Sequence, residues 1–141
     1  MKKNRKWTVF ILSALMLPAM ATQAVTPGVS RTDDLRLAAL DGDFAKVDAL
    51  GNAGVEVNSA SSFGQTPLMW AAENGNVDMV RLLLDAGSYV NMQSRHGYTA
   101  LILAAQEGHE HVVELLLNRN ADAAKQTNSG HNALMMAAEQ N

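Results

Sequence analysis

Cysteine is absent from this chain of 141 residues, and proline occurs only three times. Without cysteine there is no disulfide framework, no cysteine-based zinc or iron–sulfur site, no cysteine nucleophile and no lipidated cysteine of a bacterial lipoprotein. Three prolines are too few for a proline-rich disordered chain, and a hydrophobic content of 48% is enough for a packed core. The length fits one domain at most. Because the chain has no cysteine for disulfides or metal sites, side-chain packing must hold the fold together.

A long hydrophobic run is also missing, although the N-terminus has the features of an export signal. Four Lys and Arg residues precede an apolar run at 7–17, and small residues follow Pro18. The alternative is a membrane anchor, but 11 residues fall short of the roughly 20 that span a bilayer. We therefore predict a signal peptide at 1–24, cleaved after Ala24 or Ala21, and a linker at 25–32.

Cleavage would change the charge balance. It removes four of the 11 Lys and Arg residues and none of the 14 Asp and Glu residues, so the mature chain carries a formal charge of −7. An acidic chain without a basic stripe repels phosphate backbones and anionic lipid surfaces. We predict no nucleic-acid partner and, after cleavage, no membrane contact.

The rest of the sequence repeats with a period of 33 residues. Six columns of identical residues share this spacing, which is the mark of a stacked repeat architecture. The columns are Gly64, Gly97 and Gly130; Gly42, Gly75 and Gly108; Ala39, Ala72, Ala105 and Ala138; Leu35, Leu68, Leu101 and Leu134; Asn58 and Asn91; and Gly54 and Gly87.

One period, residues 64–96, predicts two helices and an extended finger. Thr66 can cap a helix whose first residue is Pro67, and the helix stops at Gly75. After Gly75, apolar residues at helical spacing predict a second helix that ends at Gly87. Residues 88–96 lack helical periodicity and predict a hairpin-like finger that leads to the next copy.

The segment Gly64 to Ala72, followed by Gly75 and a run of three leucines at 82–84, resembles an ankyrin repeat, and so does the copy that begins at Gly97. The resemblance covers about 33–141 and implies an all-α solenoid of stacked helix-turn-helix units joined by β-hairpin-like fingers. It divides the chain into a degenerate N-terminal repeat at 33–63, repeats at 64–96 and 97–129, and an incomplete repeat at 130–141.

Several positions depart from the family pattern. Met69, Ile102 and Met135 replace the usual histidine after the proline, and Asn132 replaces the capping threonine. In the third finger the usual glycine and asparagine are Asn120 and Ala124, so we expect less rigidity toward the C-terminus. The fourth repeat stops before its second helix, which suggests either a fragment of a longer protein, the interpretation we favour, or a partner that covers Leu134 and Met135.

Chemical motifs are few. His109 and His111 are two residues apart, whereas metal-binding histidines that share a helix face are four apart. The resemblance implies instead that His109 makes a hydrogen bond between adjacent repeats. There is no nucleophile elbow, phosphate-binding loop or zinc-protease motif, and the methionines at 69, 79, 135 and 136 suggest core packing. We predict no catalytic, cofactor or metal site.

The resemblance implies a binding face made by the finger tips and the ends of the first helices. Phe63 and Tyr98 are aromatic at tips where the scaffold requires no aromatic residue, which suggests binding, although contact between neighbouring fingers is an equal alternative. For His96 and His131 the alternative is that they are ordinary surface residues of the fingers without a binding role. The predicted partner-binding residues are Phe63, Gln65, Glu73, Asn74, Arg95, His96, Tyr98, Gln106, Glu107 and His131, with Ser62, Asn128 and Ser129 on the same fingers.

These observations predict a monomeric, non-enzymatic module that is exported to the periplasm or outside the cell and binds a protein partner. Such a module could protect or regulate a periplasmic enzyme, as some similar bacterial ankyrin proteins are thought to do. The alternative is a secreted effector that acts on a target cell, with any activity in a missing C-terminal part.

Overall fold

The computed structural model describes residues 30–140. The predicted signal peptide at 1–24 and most of the predicted linker lie outside these residues. Seven helices occur in the described part of the chain, and none of them is long and apolar enough to cross a membrane. They are α1 (Arg31–Asp41), α2 (Phe44–Asn52), α3 (Pro67–Glu73), α4 (Val77–Asp85), α5 (Ala100–Gln106), α6 (Glu110–Asn118) and α7 (Ala133–Glu139).

The helices stack as a solenoid of helix pairs. The first helices of successive repeats pack in a row, α1 on α3, α3 on α5 and α5 on α7. The second helices α2, α4 and α6 each pack on the first helix of their own repeat, and α4 also contacts α6. The predicted all-α repeat solenoid is confirmed, with α1 beginning two residues before the predicted boundary at 33.

The N-caps explain where the first helices begin. Thr66 accepts a hydrogen bond from the amide of Met69, and Thr99 accepts one from the amide of Ile102. Asn132, which replaces the threonine in the fourth repeat, accepts the equivalent bond from Met135. The substitution therefore keeps the cap, because an asparagine oxygen satisfies the same orphan amide.

The core follows the repeat columns. The leucines at 35, 68 and 101 and the alanines at 39, 72 and 105 are buried, so the small residues let neighbouring first helices approach closely. Three of the four methionines predicted as core residues are buried, at 69, 79 and 136. The prediction is wrong for Met135, which is 46% exposed: α3 and α5 each pack between two other first helices, whereas within residues 30–140 α7 packs on α5 on one side alone.

An apolar groove of about 660 Å³ lies between α6 and α7. Leu134 lines it and is 77% exposed, whereas its equivalents Leu68 and Leu101 are each 2% exposed. Leu117 and Ala137 line the same groove. The fourth repeat thus exposes a face that the two preceding repeats bury.

The fingers contain tight turns, and no strand forms in the part of the chain that the structure describes. Hairpin-type hydrogen bonds close each tip instead: the amide of Ser61 donates to the carbonyl of Gln65, and the amide of Ser94 donates to that of Tyr98, both at 2.9 Å. In the third finger, Asn120 stands in place of glycine and has a φ of 65°, so it retains the left-handed conformation. Asparagine tolerates this conformation better than most residues.

Candidate protein-binding face

Backbone hydrogen bonds hold the finger tips side by side. The amide of Arg95 donates to the carbonyl of Phe63, and the amide of Asn128 donates to the carbonyl of His96, each at 2.9 Å. The Asn128 side chain adds a bond to the carbonyl of Arg95 at 2.9 Å. Each tip is therefore fixed to the next one, and residues at equivalent tip positions form a row.

Asparagine side chains tie the fingers together closer to the helices. Asn58 donates to the carbonyl of Gly87 at 3.2 Å and accepts from the amide of Tyr89 at 2.7 Å. Asn91 makes the same pair of bonds one repeat later, to Asn120 at 3.3 Å and from Asp122 at 2.7 Å. The repeated asparagine column is thus a bridge between neighbouring fingers.

Side chains from the following repeat hold the C-terminal ends of the first helices. The Asn74 Nδ2 donates to the carbonyl of Leu40 at 2.8 Å, and the His109 Nε2 donates to the carbonyl of Glu73 at 2.9 Å. The predicted inter-repeat hydrogen bond of His109 is confirmed. The imidazole ring lies where a side chain on Gly75 would stand, with its Nδ1 2.6 Å from the position of a Cβ.

A concave pocket of about 280 Å³ lies between the finger tips and the first helices α3 and α5. Six of the ten predicted binding residues line it, and three further residues that were not predicted complete it. The predicted residues are Phe63, Gln65, Glu73, His96, Tyr98 and Gln106, and the others are Met69, Ser94 and Leu103.

The two aromatic residues line this pocket in different ways. Phe63 is 60% exposed, whereas Tyr98 is half-buried and packs partly against the core. Tyr98 therefore has a structural contact as well as a pocket-facing surface. Phe63 is the more exposed ring, and the expectation of a binding role is strongest for this residue.

The other four predicted residues lie outside the pocket. The Asn74 side chain donates to the carbonyl of Leu40, and Arg95 and Glu107 are exposed to solvent. His131 lies on the third finger, where its Nδ1 is 3.0 Å from the Ser129 hydroxyl and its Nε2 is 3.8 Å from a Glu139 carboxylate oxygen. At this distance the Nε2 makes no hydrogen bond to the carboxylate.

The floor of the pocket was missed by sequence reasoning. Met69 and Leu103 are buried core residues that also line the pocket. Their positions on α3 and α5 follow from the repeat period, but whether a buried side chain faces a pocket depends on the fingers above it. Ser94, the third missed residue, accepts a hydrogen bond from the amide of Tyr98 at 3.2 Å and so supports the tip turn.

A charged cluster in the first repeat was also not predicted. Arg36 and Asp34 are buried; the Arg36 guanidinium pairs with Asp33, and Lys46 pairs with Asp34 at 3.7 Å. Burial lowers the pKa of Arg36 from its ordinary value, because desolvation penalises the charged form. Arg36 occupies the column of Met69, so the first repeat replaces an apolar core residue with an ion pair.

No group of three or more His, Asp or Glu side chains among residues 30–140 is close enough to hold a metal ion. His109 uses its Nε2 for the bond to Glu73, and His111 is exposed on α6.

Comparison with known proteins supports the repeat assignment. The family profile described as "Ankyrin repeats (3 copies)" matches residues 35–127 and 86–141. The two matches together span 35–141, well over half of the chain. No curated protein matches the sequence.

Proposed function

We propose, because the chain belongs to the ankyrin repeat family, that it is a non-enzymatic module that binds a protein partner through the concave face of its finger tips and first helices. Family membership supports interaction with proteins in general, because repeat stacks of this type present extended concave surfaces. Which face this chain uses, and for which partner, follows from its own side chains.

One observation carries the choice of face. Six residues that the repeat pattern places at tips and helix ends line one pocket, and its most prominent aromatic side chain, Phe63, is 60% exposed. An exposed aromatic ring beside a concave surface is typical of a binding hot spot. The scaffold gains little from Phe63, since this ring is not part of the buried core.

We further propose that the module works after export, in the periplasm or outside the cell. The support is the order of basic, apolar and small residues in the first 24 positions. The acidic charge of −7 that remains favours a protein partner over nucleic acid or an anionic membrane surface. We expect the chain to act as a monomer.

Site-specific photo-crosslinking tests the face. A photo-reactive phenylalanine analogue at Gln65 or Gln106 should yield adducts with the partner, while the same analogue at Asp78 or Arg81, exposed on α4, should not. Adducts from the α4 positions alone would overturn the proposal. A target recovered from a host cell would favour the secreted effector.

With the partner identified, calorimetry of Phe63→Ala and of the double variant Phe63→Ala, Tyr98→Ala measures the site. We expect at least about a tenfold loss of affinity for the double variant, equivalent to about 1.4 kcal/mol. Because Tyr98 also packs on the core, circular dichroism must show unchanged helix content, and the single Phe63 variant provides the cleaner comparison. Equal affinity of all three proteins would remove both rings from the site.

N-terminal sequencing tests export separately. The mature protein should begin at Val25 or Thr22 and occur in the periplasmic or extracellular fraction. An intact N-terminus in the membrane fraction would contradict export but not partner binding.

A further inference from the structure

The pocket on the concave face combines an apolar floor, two aromatic walls and one carboxylate. Met69 and Leu103 form the floor, and Phe63 and Tyr98 contribute the rings. Glu73 is the only acidic residue among the lining residues, and neither Lys nor Arg is present among them. The remaining polar groups that line the pocket are Gln65, Ser94, His96 and Gln106.

Glu73 lines the pocket and is exposed, so its carboxylate is accessible. Glu73 is the last residue of α3, and its carbonyl accepts the hydrogen bond from His109 at 2.9 Å, which fixes this end of the helix. No Lys, Arg or His side chain among residues 30–140 forms a salt bridge with its carboxylate. Arg95 lies between Ser94 and His96 on the same finger, is exposed, and is not one of the residues that line the pocket.

The volume of the pocket limits the size of the group that can bind in it. At about 280 Å³, the pocket is slightly smaller than typical small-molecule sites, which measure about 300 to 1,000 Å³. This space suits one long side chain of a partner rather than a whole cofactor. A suitable side chain has an apolar stem for the Met69 and Leu103 floor and a cationic end for the rings and the carboxylate.

We propose that this pocket receives an arginine side chain of the protein partner. The planar guanidinium stacks on aromatic faces, and its five donors can serve the Glu73 carboxylate together with the side-chain oxygens of Gln65 or Gln106. Lysine has a compact, strongly hydrated ammonium group that stacks less well. The inference rests on the proposed function, because it names the chemistry that the concave face recognises.

A titration followed by NMR tests the proposal on the full chain. The probes are three capped tripeptides, Gly-Arg-Gly, Gly-citrulline-Gly and Gly-norleucine-Gly; citrulline has the shape of arginine without its charge. We expect the arginine peptide to bind with a Kd in the millimolar range, at least about threefold more tightly than the citrulline peptide, with shifts at Phe63, Glu73 and Tyr98.

Matched variants isolate the carboxylate. Glu73→Gln should remove the preference for arginine, and Gln106→Glu, at the equivalent position one repeat later, should increase it. The control Glu114→Gln changes the net charge by the same amount at an exposed position of α6, away from the pocket, and should keep the preference for the arginine peptide. Equal affinity for the arginine and citrulline peptides, shifts confined to other surfaces, or an unchanged preference in Glu73→Gln would each overturn the inference.

The two proposals can fail separately. If crosslinks from Gln65 and Gln106 identify a partner but the arginine peptide has no advantage, the arginine inference is wrong and the concave-face function stands. If the arginine preference depends on Glu73 but crosslinks form only from α4, the pocket is cation-selective and the proposed function is wrong.

Discussion

The repeat period supplies two leucines in the same column with opposite surroundings. Leu101 in α5 is 2% exposed, and Leu134 in α7 is 77% exposed. Truncation of a buried leucine to alanine removes transferred apolar surface and leaves a cavity, at a cost of about 2 to 5 kcal/mol. We therefore expect Leu101→Ala to lower the free energy of unfolding by an amount in this range.

Leu134→Ala should behave differently, although the sequence change and the helix position are the same. With about three quarters of its surface already in water, Leu134 loses little burial on truncation, and surface substitutions typically change stability by about 0.5 kcal/mol or less. The expected difference between the two variants is at least about 1.5 kcal/mol. Leu68→Ala, in the same column and equally buried, should match Leu101→Ala.

Urea denaturation followed by far-UV circular dichroism measures all three variants against the parent. Unchanged m-values would show that the same cooperative unit unfolds, which is a necessary check in a repeat stack. If Leu134→Ala costs as much as Leu101→Ala, the exposed face of α7 is covered in solution. That result would refute the reasoning from burial.

Two further pairs of variants test the links between fingers. Asn91→Ala removes the hydrogen bonds to Asn120 and Asp122 and should lower the free energy of unfolding by about 1 to 2 kcal/mol. The control Asn118→Ala, at an exposed position at the end of α6, should lower it by less than about 0.5 kcal/mol. Equal urea midpoints for the two variants would contradict a bridge between the fingers at Asn91. Gly97 and Gly130 both have positive φ angles, 83° and 86°, so alanine is strained at either position. Only at Gly97 would the added Cβ also be too close to a neighbour, 2.9 Å from the Asn128 amide nitrogen, because the space at Gly130 is open. Gly97→Ala should therefore lower the melting temperature more, and the reverse order would show that the tips are not held together at Gly97.

The repeat period predicted the helix starts well, because helix capping is local. Thr66 and Thr99 cap the helices that follow them, as the sequence indicates. The burial of an apolar residue is not local, and this is why Met135 was wrongly predicted as a core residue. Its column is buried at Met69 and Ile102, but exposure depends on which helix packs above it, and no single repeat contains that information.

The candidate site, like the fold, could be predicted from the sequence only in part. Tip and helix-end positions could be taken from the repeat pattern, and six of ten residues line one pocket. The pattern could not tell that Asn74 bonds to the Leu40 carbonyl, because the acceptor lies 34 residues away in sequence. It also missed Met69 and Leu103, since apolar residues at helical spacing indicate core packing whether or not they border a cavity.

The carbonyls of Leu40 and Glu73 are equivalent, 33 residues apart, yet their donors Asn74 and His109 lie two positions out of step with the period. Neighbouring units thus supply a hydrogen-bond donor to the same carbonyl position with different residue types at different positions of the repeat. Either an asparagine or a histidine side chain can donate to this carbonyl. A contact between neighbouring units can therefore recur along the stack without the same residue recurring in the sequence.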